Sequence, residues 1–291
     1  MKNKSKTPGK ESRFRMTMHR LLKNKGAVVG LIIVLILVVV SLTSGLWLDY
    51  EKDIVEFHTS ERLQKPSKEH IFGTDNYGRD IFKRIVYGTR YSIIIGFLSV
   101  MIALVGGVIL GSLAGYYGGV LENIIMRLCD IVSSIPTILL GIVIVSAIGG
   151  SVVSLMLAIG LASIVGFVRI VRASILTVKN QEYVESARAM GLSDVRIIFF
   201  HVLPNCLSPI IVQTTLKIGN AIVSASSLSF LGMGVPSPKP EWGTMLSAGR
   251  EFLRKSWYMT LFPGLAILIT VLAFNLVGDG LRDAMDPKLK K

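Results

Sequence analysis

Residues Gly26–Leu48, "GAVVGLIIVLILVVVSLTSGLWL", form a run of 23 residues without a charge. The hydrocarbon core of a bilayer takes about 20 apolar residues as an α-helix. In lipid every backbone polar group must be satisfied internally, which leaves the helix as the way for one such run to cross. A cleavable secretory signal has a shorter apolar stretch and a small-residue cleavage site, so this run reads as a retained first span. Five more apolar stretches follow, at about Ser92–Tyr116, Asp130–Ile148, Val152–Val168, Leu207–Leu231 and Met259–Val277. An all-α membrane protein with six transmembrane helices is the expectation. Composition agrees: 51% of the 291 residues are hydrophobic and 18% charged, more apolar than soluble domains of this size.

Net charge is +13, which in a soluble chain would raise nucleic-acid binding. Here the basic residues flank apolar spans, the pattern that orients a membrane protein. The tail 1–25 holds nine Lys/Arg and one acid, and charge beside the first span dominates orientation. Both termini are therefore expected in the cytoplasm, the second as the tail 281–291, "LRDAMDPKLKK". Loop 49–91 is then extracytoplasmic; over 49–90 it carries eight bases against eight acids and adds no bias. Cys129 and Cys206 are isolated, and histidine occurs at 19, 58, 70 and 201. Neither a redox pair, nor a zinc motif, nor another metal site is indicated. No G-x-x-x-x-G-K-[ST] phosphate cradle is present. Asp130 and Asp279 fall near span ends, and no catalytic residue is assigned.

Gly107, Gly111, Gly115 and Gly119 recur every four residues and form a smooth stripe that lets a second helix approach closely. Ile81, Phe82, Ile85 and Val86 share a helical face, which reads as an amphipathic, interfacial approach to the second span. In "GVPSPKPEWGTML" alternate prolines favour an extended chain, and Trp242 suits the headgroup belt. Lys217 lies about ten residues into the fifth run, roughly 15 Å deep at 1.5 Å per residue. A lysine there is a translocation-path candidate, or else snorkels or pairs with an acid on a neighbouring subunit.

The segment 181–204 is too charged to cross and too ordered for a plain connection. Tyr183 to Met190 has helical spacing, with Ser186, Ala187 and Ala189 as a small surface between Glu185 and Arg188. Gly191 supplies a left-handed stop. Ser193 is placed to cap a second helix, with Asp194 in its first turn, and Pro204 ends it. "ESARAMG", nine residues, then "HVLP" resembles the signature of the binding-protein-dependent ABC importer permeases. The positions are Glu185, Ser186, Ala187, Gly191, His201, Leu203 and Pro204, with Ser186 in place of alanine and His201 in place of isoleucine. "HIFGTDNYGRDIFKRIVYGTRYS", "LSFLGMGVPSPKPEWGTML", "NLVGDGLRDAMDP" and "MRLCDIVSSIPTILL" resemble the dipeptide, oligopeptide and nickel branch, in its second, C-type permease.

The resemblance implies a type I importer fold, with a core 92–280 that includes the segment 181–204 as a cytoplasmic coupling helix. It implies ATPase coupling through Glu185, Ser186, Ala187, Arg188, Gly191, Leu203 and Pro204. It also implies a sister permease, two ABC ATPase subunits that consume the ATP, and an extracytoplasmic substrate-binding protein. The chain is then a transport subunit of the cell membrane and no enzyme. Peptides are the expected cargo, with nickel or a metal–metallophore chelate as the alternative.

Overall fold

The computed structural model describes residues 13–286. Parts of both basic tails, 1–12 and 287–291, lie outside the described residues. A short α1 (Arg13–Lys23) precedes α2 (Lys25–Trp47). Asn24 separates them and caps α2, its side-chain oxygen accepting from the Ala27 N–H at 3.2 Å. The chain then makes a compact connection and enters α3 (Ile81–Tyr117), a helix of 37 residues. Asp80 caps it, accepting from the Lys83 N–H at 3.0 Å. Next come α4 (Gly119–Ser134), α5 (Thr137–Ile148) and α6 (Val152–Val178). Ser151 and Ser154 start α6 with a reciprocal capping box. The charged segment supplies α7 (Glu182–Ala189) and α8 (Asp194–Ile197), and α9 (Leu207–Leu228), α10 (Trp242–Gly249) and α11 (Tyr258–Met285) complete the order.

Among the described residues four helices, α2, α3, α6 and α11, are long and apolar enough to cross a membrane, and two bent helix pairs bring the total to six if each pair is one span. The run Asp130–Ile148 is not a straight span: α4 and α5 meet at 89°. Pro136 has no N–H to donate and pushes the residue before it out of helical geometry. Ile135 accordingly sits at φ −91°, ψ 126°.

The main core joins α3, α6, α9 and α11 through Ile95, Val100, Leu155, Phe167, Ile222 and Phe274. The glycine stripe makes the α3–α6 seam possible. A Cβ on Gly107 would sit 2.1 Å from the Cβ of Phe167, and one on Gly111 would meet the Val168 carbonyl at 2.8 Å. Gly115 faces Ile175 in the same way, whereas Gly119, with φ +58° and no neighbour within 4 Å, belongs to the turn after α3.

Two expectations about the end of the bundle that carries loop 49–80 need correction. The face Ile81, Ile85 is covered by protein, not by a membrane surface: both are buried with Trp242, Met245, Tyr258 and Met259. Trp242 is 1% exposed, and its indole N–H donates to the Ile85 carbonyl at 3.0 Å. It opens α10, where Glu241 caps the backbone N–H groups of Gly243 and Thr244 at 2.8 Å each. Loop 49–80 is tied to α3 by Lys83, whose ammonium donates to Asp53 at 2.6 Å. That hydrogen bond holds the Asp53 carboxyl below its ordinary range.

Candidate functional site

The segment between α6 and α9 folds as two short helices reversed at Gly191. The reversal needs a left-handed residue, and Gly191 has φ +77°. Its N–H donates to the Arg188 carbonyl at 3.0 Å, and the Leu192 N–H reaches back to Ala187 at 3.3 Å. These bonds satisfy carbonyls that the end of α7 would leave open. Ser193 occupies the cap position of α8 but makes no side-chain capping bond. After α8 the chain continues through a wide turn (Ile198–Val202) and a 3₁₀ turn (Leu203–Asn205), then bends by 68° into α9.

One face of this pair is locked to the bundle. Val184, Ala187, Ile197, Ile198 and Val202 are buried with Tyr116, Val171, Ile175 and Ile210 from α3, α6 and α9. Ala187 is 0% exposed, so it packs inward and is not part of the small outer surface expected of it. Leu203 and His201 are half-buried, and Pro204 is exposed. The outward face presents Glu185, Ser186, Arg188 and Gly191 together with Met190, 72% exposed, and Val195, 62% exposed. Exposed apolar side chains beside charged ones at the tip of the hairpin would suit contact with another protein.

The sequence reading missed the joint behind that surface. The Tyr116 hydroxyl, in the last turn of α3, donates to the Asp194 carboxylate at 2.7 Å and accepts from Arg188 at 3.3 Å. The Arg188 guanidinium also lies 5.7 Å from the centre of the Tyr116 ring, and the hydrogen bond to Tyr116 pushes its pKa further up. Lys179 donates to the Gly115 carbonyl at 3.0 Å, and Arg172 to Glu122 at 2.6 Å. The hairpin and the ends of α3, α4 and α6 thus form one charge-assisted hydrogen-bonded unit.

Lys217 lies apart, on α9 where it passes α6. A Cβ on Gly166 would be 3.8 Å from its Cε and Nζ. Asp130, one possible partner by type, is paired with Arg169 at 3.0 Å.

Comparisons with known proteins agree with this architecture. Residues 107–291 match the family model "Binding-protein-dependent transport system inner membrane component". Residues 12–66 match the "N-terminal TM domain of oligopeptide transport permease C". The dipeptide transport system permease protein of Alkalihalophilus pseudofirmus is 46% identical over 279 residues, 96% of this chain and 91% of that protein. The glutathione transport system permease protein of Pectobacterium atrosepticum is 43% identical over 278 residues, 95% of this chain and 92% of that protein. Among solved structures, the inward-facing MetNI methionine ABC transporter aligns with a TM-score of 0.58 at 17% identity, covering 70% of this chain and 97% of that one. The last likeness concerns fold alone: a type I importer permease. This chain belongs to the binding-protein-dependent transport system inner membrane components, as a C-type permease subunit of an ABC importer and not an enzyme.

Proposed function

We propose that the chain forms half of the path by which short peptides, delivered by an extracytoplasmic binding protein, cross the plasma membrane at the expense of ATP. The observation that carries the coupling half of this reading is the hairpin 181–204, with its outward apolar and charged face and its inward packing on three spans. A surface of that kind passes a partner's motion to the helices behind it. The chain has no nucleotide cradle, so two ATPase subunits supply the energy, and a sister permease completes the path. Both termini and the hairpin lie in the cytoplasm; loops 49–80 and 232–257 lie outside. The basic tail supports that orientation. The peptide half is supported by the relatives, whose names carry dipeptide or glutathione. Nickel and metallophore cargo has no support from them.

The test is reconstitution with cognate sister permease, ATPases and binding protein. Uptake of a labelled dipeptide that requires ATP is the expected result, and the chain alone should not hydrolyse ATP. Sugar or nickel uptake with no peptide uptake would overturn the cargo; ATPase activity of the pure chain would overturn the coupling.

Lys217 supports a finer reading: it faces the path and favours anionic cargo. Lys217→Met keeps bulk and removes charge. At equal membrane abundance uptake of an acidic peptide should fall severalfold while that of a neutral peptide holds. An equal fall for both, or none, would assign Lys217 to packing or to a sister-subunit acid.

A further inference from the structure

At the end of the bundle away from the hairpin, a cavity of about 650 Å³ opens between residues 75–84, the chain after α9, and α10. Its ionic floor is built, not incidental. Asp75 and Arg79 are 7% and 4% exposed. The Asp75 carboxylate accepts from the backbone N–H of Tyr77 at 2.8 Å and of Arg79 at 3.0 Å, and from the Arg79 Nε at 2.7 Å. The Nε of Arg84 lies 3.7 Å from the same carboxylate. Arg84 is otherwise spent on the carbonyls of Ile54 at 2.5 Å and Pro238 at 3.3 Å. One buried carboxylate therefore serves two buried guanidinium groups, and a positive charge is left over.

Arg79 lies over the rings of Tyr77 at 4.7 Å and Phe57 at 5.6 Å, yet its hydrogen-bonding capacity is not filled. Its Nη1 is buried with no hydrogen-bond partner, and so are the Asn76 Oδ1 and Ser229 Oγ, all three residues lining this cavity. A buried donor on a charged group is costly to leave unpaired, and native structures rarely do so without a reason. A partner suited to this floor would be negatively charged, accept hydrogen bonds at Arg79 and offer a donor to Asn76. A carboxylate next to an amide N–H has that chemistry. Met245, Phe252 and Met259 supply apolar wall, and the volume falls within the roughly 300–1,000 Å³ of small-molecule sites.

We propose that this cavity binds the terminal carboxylate of a short peptide, anchored by Arg79, on the side where the binding protein releases it. The identification of the ligand as a peptide rests on the cargo reading above; the carboxylate does not.

The experiment uses the complete permease–ATPase complex in lipid nanodiscs without binding protein. Binding of dialanine, its C-terminal amide and acetate is followed by ligand-observed NMR. Dialanine should bind at least tenfold more tightly than the amide, and acetate should compete with it. Arg79→Gln should abolish the preference. Asn76→Asp leaves the Asp75–Arg79 pair in place and sets a negative charge at the site. It should abolish the preference as well, so the idea stays testable if Arg79→Gln fails to assemble. Equal binding of acid and amide by the wild type sinks the proposal, as does a preference that survives in either assembled variant. If Arg79→Gln instead weakens docking of the ligand-free binding protein tenfold, with no acid preference among the peptides, the carboxylate belongs to that protein and the proposal fails. Dipeptide uptake by the complete importer is measured separately. Uptake without the acid preference condemns the site alone; acetate binding that depends on Arg79, without dipeptide uptake, condemns the peptide assignment alone.

Discussion

Tyr116 and Gly191 hold the hairpin 181–204 by different means, and removing each should read differently. Tyr116→Phe keeps the ring under Arg188 and deletes the hydroxyl that links Arg188 to Asp194. Hydrogen bonds to charged groups contribute about 1.5–3 kcal/mol. The variant should insert and bind ATPase, yet transport severalfold less substrate per ATP hydrolysed, a ratio measured in proteoliposomes. Gly191 has free space around it, with nothing within 4 Å of an added Cβ, so the obstacle there is backbone conformation alone. A left-handed β-branched residue costs roughly 1–2 kcal/mol. Gly191→Val should therefore lower coupled transport while Gly191→Asn, which tolerates that conformation, retains most of it. Equal transport by the two would remove the turn from the mechanism. Gly191 was legible in the sequence because its conformational demand is local. Tyr116 was not: its partner lies 78 positions away, and nothing in "GYYGG" distinguishes a bridging tyrosine from a neighbouring one.

At the scale of elements, the α3–α6 seam depends on absent side chains. Gly107→Leu would drive atoms into Phe167, and overpacking of this kind costs about 1–3 kcal/mol or more. Its unfolding midpoint in detergent should drop by several degrees, whereas Gly264→Ala, whose Cβ would meet Leu246 at an ordinary 3.7 Å, should leave it nearly unchanged. Four-residue periodicity in the sequence reveals this seam, though not which helix fills it. The face of Ile81 and Ile85 shows the limit of the same logic. An apolar stripe at helical spacing looks alike whether lipid headgroups or a tryptophan 157 residues away covers it. Trp242 was misplaced for the same reason, since an amphipathic ring suits either setting. Pro136 was in plain view, but the lack of charge around it favoured an uninterrupted span.

For the whole molecule, the fold class was legible because uncharged runs and their lengths are local properties that the bilayer reads directly. The cavity around Arg79 was not, since it is assembled from stretches far apart in the chain. The break between α4 and α5 has a consequence of another kind. Thr137, Ile138 and Leu139 open α5 with no side-chain cap, and the first backbone bond back across the junction is Leu140 N–H to Pro136 at 3.1 Å. Amide groups of a first helical turn have no acceptor of their own, and lipid cannot provide one. Water must visit them, or a polar partner surface must cover them. Deuterium uptake in nanodiscs should expose the difference: peptides spanning 134–139 should exchange early, and those spanning the Gly107–Gly111 seam late. Uniformly slow exchange in the isolated chain would mean that solvent never reaches the bend. Early exchange that slows when the sister subunit is added would turn the broken span into an isotope clock, one that reports from within the bilayer each time the two halves part.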